Sequence, residues 1–84
     1  MAWHVYVAQC KDGSLYTGIA LNLQQRFREH NAGRGSVYVR SRGGATLKYT
    51  ETRRTRPAAQ RRECEIKSWP RQKKLALIQG THNA

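Results

Sequence analysis

Acidic residues are scarce in this sequence. Its 84 residues include five Asp and Glu against 16 Lys and Arg, so the formal net charge at pH 7 is +11. Enzymes that hold two metal ions cluster several carboxylates around them. Five carboxylates spread along the chain make such a site hard to assemble.

Long apolar runs are also absent, since no stretch approaches the roughly 18 apolar residues of a membrane span. We therefore expect a soluble, cytoplasmic protein with no membrane partner.

Cysteine and the common catalytic signatures are equally sparse. Cys10 and Cys64 form no CxxC motif, so neither a zinc site nor a disulfide framework is expected. The chain has no Walker sequence, no GxSxG and no HExxH, which leaves nucleoside-triphosphate and serine-hydrolase chemistry without support. A chain of 84 residues forms a single domain, 1–84, with a marginal core. Any site on it must be open and shallow.

Arginine is what the sequence has in excess. Eleven Arg and five Lys are spread along the chain rather than held in a tail. The forked guanidinium group suits phosphate, and an anionic partner would relieve the repulsion among these charges. Nucleic acid, either DNA or RNA, is therefore the first candidate partner, and anionic lipid is the second. Anionic lipid usually requires a basic amphipathic helix with a broad apolar face, which the chain does not contain.

A bulged β-hairpin is predicted at the N-terminus. Apolar residues alternate at odd positions over residues 3–9 and again over 15–20. If both strands bury their odd positions, the numbers of paired residues must sum to an even number. A three-residue loop, Lys11-Asp12-Gly13, satisfies this condition when Gly13 is left-handed in a G1 bulge. Gly13 is therefore assigned a structural role.

The register of this hairpin brings two tyrosines together. Tyr6 is placed opposite Gly18, and Ala8 opposite Tyr16. Both phenols then lie on the face away from the core, next to the gap left by the missing side chain of Gly18. The hairpin therefore predicts a patch with two neighbouring phenol groups.

The first helix is predicted from Asn22 onward. Asn22 is a good N-cap, and Gly33 follows as a C-cap. Leu23 and Phe27 form the buried stripe of this helix. Arg26 and His30 are four residues apart and run along one edge of that stripe, so their side chains point the same way.

The remainder of the chain is predicted to add a third strand and two helices. Residues 34–45 form a basic loop, and a strand follows over 47–52, in which Leu47 and Tyr49 alternate with polar residues. A second helix begins near Pro57 and runs to about residue 68, and a short last helix spans 71–79.

Four segments in this order carry a specific resemblance. They are His4-Val5-Tyr6, Tyr16-Thr17-Gly18, the run from Asn22 to Asn31 that contains Arg26 and His30, and the run from Arg62 to Trp69 that contains Glu63. Together they resemble the GIY-YIG nuclease superfamily, and in particular its small bacterial single-domain branch. The chain departs from the family motif at two places. It has His4 and Val5 where the motif has Gly and Ile, and it has Thr17 where the motif has Ile. A third departure is Gly43-Gly44, where close relatives tend to have Arg-Pro.

The resemblance implies a fold and a catalytic face. The fold is of the α/β (α+β) class: a three-stranded antiparallel sheet flanked by helices. The catalytic face would consist of Tyr6, Tyr16, Arg26, His30 and Glu63. Glu63 would hold one Mg²⁺ or Mn²⁺ ion, and Tyr6, as a phenolate with a pKa lowered by Arg26 and the ion, would take the proton of the attacking water.

The other residues of this implied site have supporting roles. Arg26 would neutralise charge on the phosphoryl oxygens, and Tyr16 would position water or phosphate. Asn22 would cap and orient the helix that carries Arg26, and Gly18 would leave room beside the phenols. The basic residues expected to bind nucleic acid are Arg34, Arg40, Arg42, Arg53, Arg54 and Lys67.

Two functions remain open on the sequence alone. The first is a metal-dependent endonuclease that hydrolyses phosphodiester bonds in DNA. Its candidate substrates include branched or structured DNA, and a protein partner is a candidate source of specificity. The alternative is a non-catalytic nucleic-acid-binding module. Without the resemblance, the paired tyrosines would be ordinary packing residues, and Glu63 would be a helix acid paired with Lys67 four residues later.

Overall fold

The computed structural model describes residues 2–32 and 41–80. Its elements, in chain order, are β1 (Trp3–Cys10), β2 (Leu15–Ala20), α1 (Leu23–Asn31), β3 (Ala45–Arg53), α2 (Arg56–Lys67) and α3 (Arg71–Gln79). The fold is therefore α+β, as predicted. Gly33, Arg34 and Arg40 lie outside the described residues. Within 2–32 and 41–80, no helix has the length and apolarity that crossing a membrane requires.

The first strand is the centre of the sheet. The strands are antiparallel in the order β2-β1-β3. Four consecutive residues of β1, Val5 to Ala8, are buried. The alternating pattern predicted a half-buried strand, and this is wrong because helices cover both faces of the sheet. The central strand therefore contributes to two cores.

These two cores lie on opposite faces of the sheet. One contains Val5 and Val7 with residues of α2 and α3, namely Ala59, Ile66 and Leu77. The other contains Tyr6, Ala8 and Ala20, against which Tyr16, Leu23 and Phe27 pack. The face predicted to point away from the core is thus covered by α1. We call it the tyrosine face.

The predicted hairpin register is confirmed. Tyr6 pairs with Gly18 and Ala8 with Tyr16. The Cys10 amide donates to the Ser14 carbonyl at 2.8 Å, which closes a three-residue loop, and Gly13 has φ +88°. A glycine is needed there because other residues rarely adopt a positive φ. The parity of the apolar pattern was sufficient to predict this geometry.

The third strand contains a bulge that the alternation did not predict. Val7 pairs with Tyr49, but its neighbour Ala8 pairs with Leu47, so Lys48 is the extra residue. A bulge shifts the side-chain alternation by one. Tyr49 therefore lies on the α2 face of the sheet, while Leu47 lies on the tyrosine face.

Helix ends are set by local caps. The Asn22 Oδ1 accepts a hydrogen bond from the Gln25 amide at 3.0 Å, as predicted for an N-cap. Thr55 caps α2 in the same way, so this helix starts at Arg56, one residue before Pro57. Gly80, at φ +76°, ends α3.

Candidate active site

A buried phenol–imidazole pair lies at the centre of the tyrosine face. The Oη of Tyr6 is 3.1 Å from Nε2 of His30. The two residues are 1% and 2% exposed, so this hydrogen bond is sheltered from water. The helical spacing placed His30 at the edge of the apolar stripe, but it is the buried residue of α1, whereas Leu23 and Phe27 are partly exposed. The reason is that the polar ring has a hydrogen-bonding partner inside the core.

Aromatic rings surround this pair. The centroid of the Tyr6 ring lies 5.2 Å from that of Phe27 and 6.2 Å from that of Tyr16. The His30 ring lies 5.7 Å from Tyr16 and 5.5 Å from Phe27, in edge-on orientations. Edge-to-face packing at these distances is favourable and restricts the rings to one arrangement. The phenol and the imidazole are therefore held in place by β1, β2 and α1 together.

Gly18 makes room for the Tyr6 phenol. A Cβ atom at Gly18 would lie 2.6 Å from Tyr6 Oη and 2.7 Å from its Cζ. Real Cβ atoms do not approach other atoms so closely, so any side chain here would displace the ring. The structure supports the predicted gap beside the tyrosines.

Substituting Gly18 by Ala should therefore disturb Tyr6. We expect a loss of about 1 to 3 kcal/mol in the free energy of unfolding, the usual cost of overpacking. The measurement is urea unfolding of Gly18→Ala in two backgrounds, wild type and Tyr6→Leu, which lacks both crowded atoms. The cost should be clearly smaller in the Tyr6→Leu background. Equal costs in both would show that the Tyr6 ring is not what the methyl group meets.

Burial dominates the ionisation of Tyr6. It raises the pKa of the phenol well above 10, and the charges of Tyr16 and Glu63 raise it further. Arg26 lowers this pKa, as predicted, but its effect is smaller than that of burial. Arg26 by itself therefore does not bring the phenol to a low pKa, because burial outweighs it.

The pKa of His30 is shifted in the opposite direction. Burial and then the positive charge of Arg26 lower it below its ordinary value of 6.5, while Glu29 opposes this shift. The imidazole is therefore neutral at pH 7, and one ring nitrogen can accept a proton.

This shift predicts a pH dependence of folding. Because the folded-state pKa of His30 is below the unfolded value of 6.5, its contribution to stability is complete above that pH. The contribution is lost as the pH falls below 6.5, since the folded protein resists protonation of the ring. We expect the free energy of unfolding to fall between pH 7 and 5. In chemical denaturation, His30→Gln should flatten this dependence; equal slopes in the variant and the wild type would contradict the assignment.

Two carboxylates act on the buried pair: Glu29, on α1, acts on His30, and Glu63, on α2, acts on Tyr6. Three other carboxylates, Asp12, Glu51 and Glu65, are engaged by Ser14, Tyr49 or arginines. Among the described residues Glu63 makes one salt bridge, a long one of 3.8 Å to Lys67, and its side chain is 20% exposed.

This donor set limits the kind of metal ion that could bind. Within the described part of the chain, no group of three or more His, Cys, Asp and Glu side chains could enclose an ion. A single, partly exposed carboxylate such as that of Glu63 fits a hydrated Mg²⁺ or Mn²⁺ ion, because such ions keep several waters and share phosphate oxygens with a substrate. Glu63 is the residue that fits this role.

The predicted nucleic-acid-binding residues that the structure describes do not share one surface. Arg42 forms a salt bridge with Asp12 at 3.3 Å. Arg53 pairs with Glu51 at 2.7 Å, on the α2 face of the sheet, and Arg54 is exposed just after β3. Lys67 is close to the tyrosine face, with Nζ 6.0 Å from the centre of the Tyr16 ring.

Asn31 links α1 to β3, a role that the sequence did not predict. Its Oδ1 accepts a hydrogen bond from the Ala45 amide at 3.1 Å, which ties the end of α1 to the start of β3. Gly44 has φ +101°, and a Cβ atom there would lie 2.8 Å from the same oxygen. Asn31 follows His30 in one of the motif segments, and this position was the only feature of the sequence that pointed to it. Asn31 therefore holds the end of the helix that carries His30.

Comparison with known proteins agrees with this geometry. Residues 2–76 match the GIY-YIG catalytic domain, and the chain therefore belongs to the GIY-YIG family. A UPF0213 protein of Staphylococcus haemolyticus is 46% identical over 80 residues, covering 94% of this chain and 98% of that protein. A UPF0213 protein of Halobacterium salinarum is 47% identical over 75 residues, covering 89% of this chain and 97% of that protein.

A solved structure shows a similar fold. The solution NMR structure of a UPF0213 protein from Bacillus halodurans matches with a TM-score of 0.59 and 38% identity, covering 94% of this chain and 84% of that one. The family places the chain in a nuclease superfamily and implies a nucleic-acid substrate. The names of the UPF0213 relatives specify no activity.

Proposed function

We propose that this protein is a metal-dependent endonuclease that hydrolyses phosphodiester bonds in DNA, including branched or structured DNA. The observation that carries the proposal is the 3.1 Å hydrogen bond between Tyr6 Oη and His30 Nε2 in a buried setting. A neutral imidazole beside a phenol can receive a proton through it. Family membership supports the same reaction class.

The proton of the attacking water would move through two residues. When the His30 ring carries its proton on Nδ1, Nε2 accepts the proton of Tyr6 Oη, and the phenol oxygen takes one from water. The water oxygen bonds to phosphorus while the ester P–O bond breaks, and the leaving oxygen takes a proton from solvent. This relay does not require a phenolate at pH 7, which the raised pKa of Tyr6 disfavours.

Arg26 would stabilise the charge that develops on the phosphoryl oxygens. Its positive charge lowers the pKa of both Tyr6 and His30, so the same charge could act on phosphoryl oxygens bound next to them. A preorganised cation in a partly buried site strengthens the binding of the transition state more than that of the substrate. Tyr16 would position water or phosphate next to this group, and the Asn22 cap would hold the start of α1.

Glu63 would hold the divalent ion. When bound, Mg²⁺ or Mn²⁺ would act as a Lewis acid on the phosphate. The charge of this carboxylate raises the pKa of Tyr6, so an ion held by Glu63 would supply its positive charge to the same site. GIY-YIG nucleases typically use divalent metals, which supports this assignment.

Binding would be dominated by the basic residues. The net charge of +11 favours association with any phosphate backbone. Arg34, Arg40, Arg42, Arg53, Arg54 and Lys67 are proposed as phosphate contacts. Because Arg53 lies on the α2 face and Lys67 near the tyrosine face, they would contact different stretches of backbone. Such an arrangement suits branched DNA, with a protein partner supplying further specificity.

Binding without cleavage is the second candidate. The observation in its favour is that Tyr6 is only 1% exposed, so its phenol is covered in this conformation. A protein with the same charges could hold DNA or RNA without bringing water to that phenol.

A substrate panel separates the two candidates. Duplex, flap, junction and RNA substrates are incubated with the wild type in Mg²⁺, Mn²⁺ or EDTA, and binding to each is measured at several salt concentrations. The endonuclease proposal expects cleavage of at least one DNA substrate that stops in EDTA. Binding that falls steeply with salt, without cleavage in either metal, would support the second candidate.

A further inference from the structure

The ammonium group of Lys67 lies between two groups of the candidate site. Its Nζ is 3.8 Å from Oε2 of Glu63 and 6.0 Å from the centre of the Tyr16 ring. The side chain extends from the last turn of α2 and is 52% exposed. Lys67 thus places a half-exposed positive charge next to both Glu63 and Tyr16.

The contact between Lys67 and Glu63 has the properties of a replaceable ion pair. At 3.8 Å it is close to the upper limit for a salt bridge, and one partner is half exposed. Exposed pairs of this kind contribute little and exchange readily with ions. A divalent cation at Glu63 would repel the ammonium group, because both are positively charged and would compete for the same carboxylate.

We propose that Lys67 is the exchangeable counter-ion of Glu63: its ammonium group neutralises Glu63 before metal binds, is displaced by the divalent ion, and then contacts a phosphate oxygen of the nucleic acid. This inference rests on the proposed role of Glu63. It gives Lys67 two opposing effects. Lys67 weakens metal binding to the free protein, and it strengthens nucleic-acid binding to the protein that holds metal.

The test measures Mn²⁺ binding directly, without activity, by the electron paramagnetic resonance signal of the free ion. Lys67→Met removes the charge and keeps a long side chain. The control Lys48→Met removes a lysine that is exposed on β3 and forms no salt bridge within the described residues. We expect Lys67→Met to bind Mn²⁺ about two- to fivefold more tightly than wild type, the range expected for an exposed ion pair, and Lys48→Met to match wild type within about a factor of two.

A second measurement follows duplex DNA affinity in EDTA and in Ca²⁺. In Ca²⁺, Lys67→Met should lose more affinity than Lys48→Met, and in EDTA the two losses should be similar or reversed. Two results would overturn the inference. The first is that the Lys67→Met variant binds Mn²⁺ no more tightly than the wild type. The second is that it loses the same DNA affinity in EDTA as in Ca²⁺.

Glu63→Gln distinguishes the failure of this inference from that of the proposed function. If Glu63→Gln abolishes Mn²⁺ binding but Lys67→Met does not strengthen it, only the role of Lys67 fails. If Glu63→Gln binds Mn²⁺ like wild type, the metal assignment itself fails, and the inference fails with it.

Discussion

Glu63→Gln is expected to abolish DNA cleavage while leaving DNA affinity unchanged or higher. The amide keeps the shape of the side chain but loses the charge that would bind the divalent ion. The Lewis-acid contribution of such an ion amounts to several kcal/mol of transition-state stabilisation, which corresponds to a loss of roughly a thousandfold or more. Affinity should not fall, because a negative charge is removed from a surface that faces phosphate.

The matched control for this variant is Glu65→Gln. Glu65 is on the same helix and pairs with Arg62 rather than facing Tyr6. Single-turnover cleavage and DNA binding in EDTA are measured for both variants. Glu65→Gln should cleave at close to the wild-type rate. Cleavage that survives in Glu63→Gln at a comparable rate would remove Glu63 from the proposed metal site.

Tyr6→Phe is expected to reduce the cleavage rate about 10²- to 10⁴-fold, the usual contribution of a positioned proton-transfer group. The change removes one oxygen and leaves the ring packed against Phe27 and Tyr16. Nε2 of His30 loses this hydrogen-bond partner, so the variant should also lose about 1 to 3 kcal/mol of stability. Rates must therefore be compared at a temperature where both proteins are folded.

Tyr49→Phe provides the matched control. Its phenol donates a 2.8 Å hydrogen bond to Glu51, but it lies on the α2 face of the sheet. This variant should lose comparable stability and retain the cleavage rate. Equal rate losses in Tyr6→Phe and Tyr49→Phe would mean that the effect comes from folding. A Tyr6→Phe protein with full activity would refute the proton relay.

Local patterns were sufficient to predict the hairpin and the pairing of the tyrosines. The odd-numbered apolar residues of β1 and β2 determine which side chains share a face, and a left-handed Gly13 completes the loop. The proximity of Tyr6 to Gly18 follows from that register. Caps such as Asn22 similarly determined where α1 begins. Each of these features depends on residues close in sequence or on a single turn.

Ordered motif segments also predicted the family and the fold. Their spacing placed Arg26 and Glu63 in one predicted site with Tyr6, and the charge of Arg26 lowers the pKa of its phenol while that of Glu63 raises it. The roles assigned to these residues in the reaction remain predictions. The basic residues Arg34 and Arg40 remain expectations as well, because they lie outside the described residues.

The sequence by itself determined the register of the hairpin, the start of α1 and the family, because those depend on local pairing and motif order. Only the tertiary structure decided that β1 is buried on both faces, that a bulge at Lys48 separates Leu47 from Tyr49, and that His30 is buried against Tyr6. These features depend on which elements cover each face of the sheet. Burial under the packed elements also shifts the pKa values of Tyr6 and His30. Because this burial depends on parts of the chain that are distant in sequence, the spacing of the residues could not predict it.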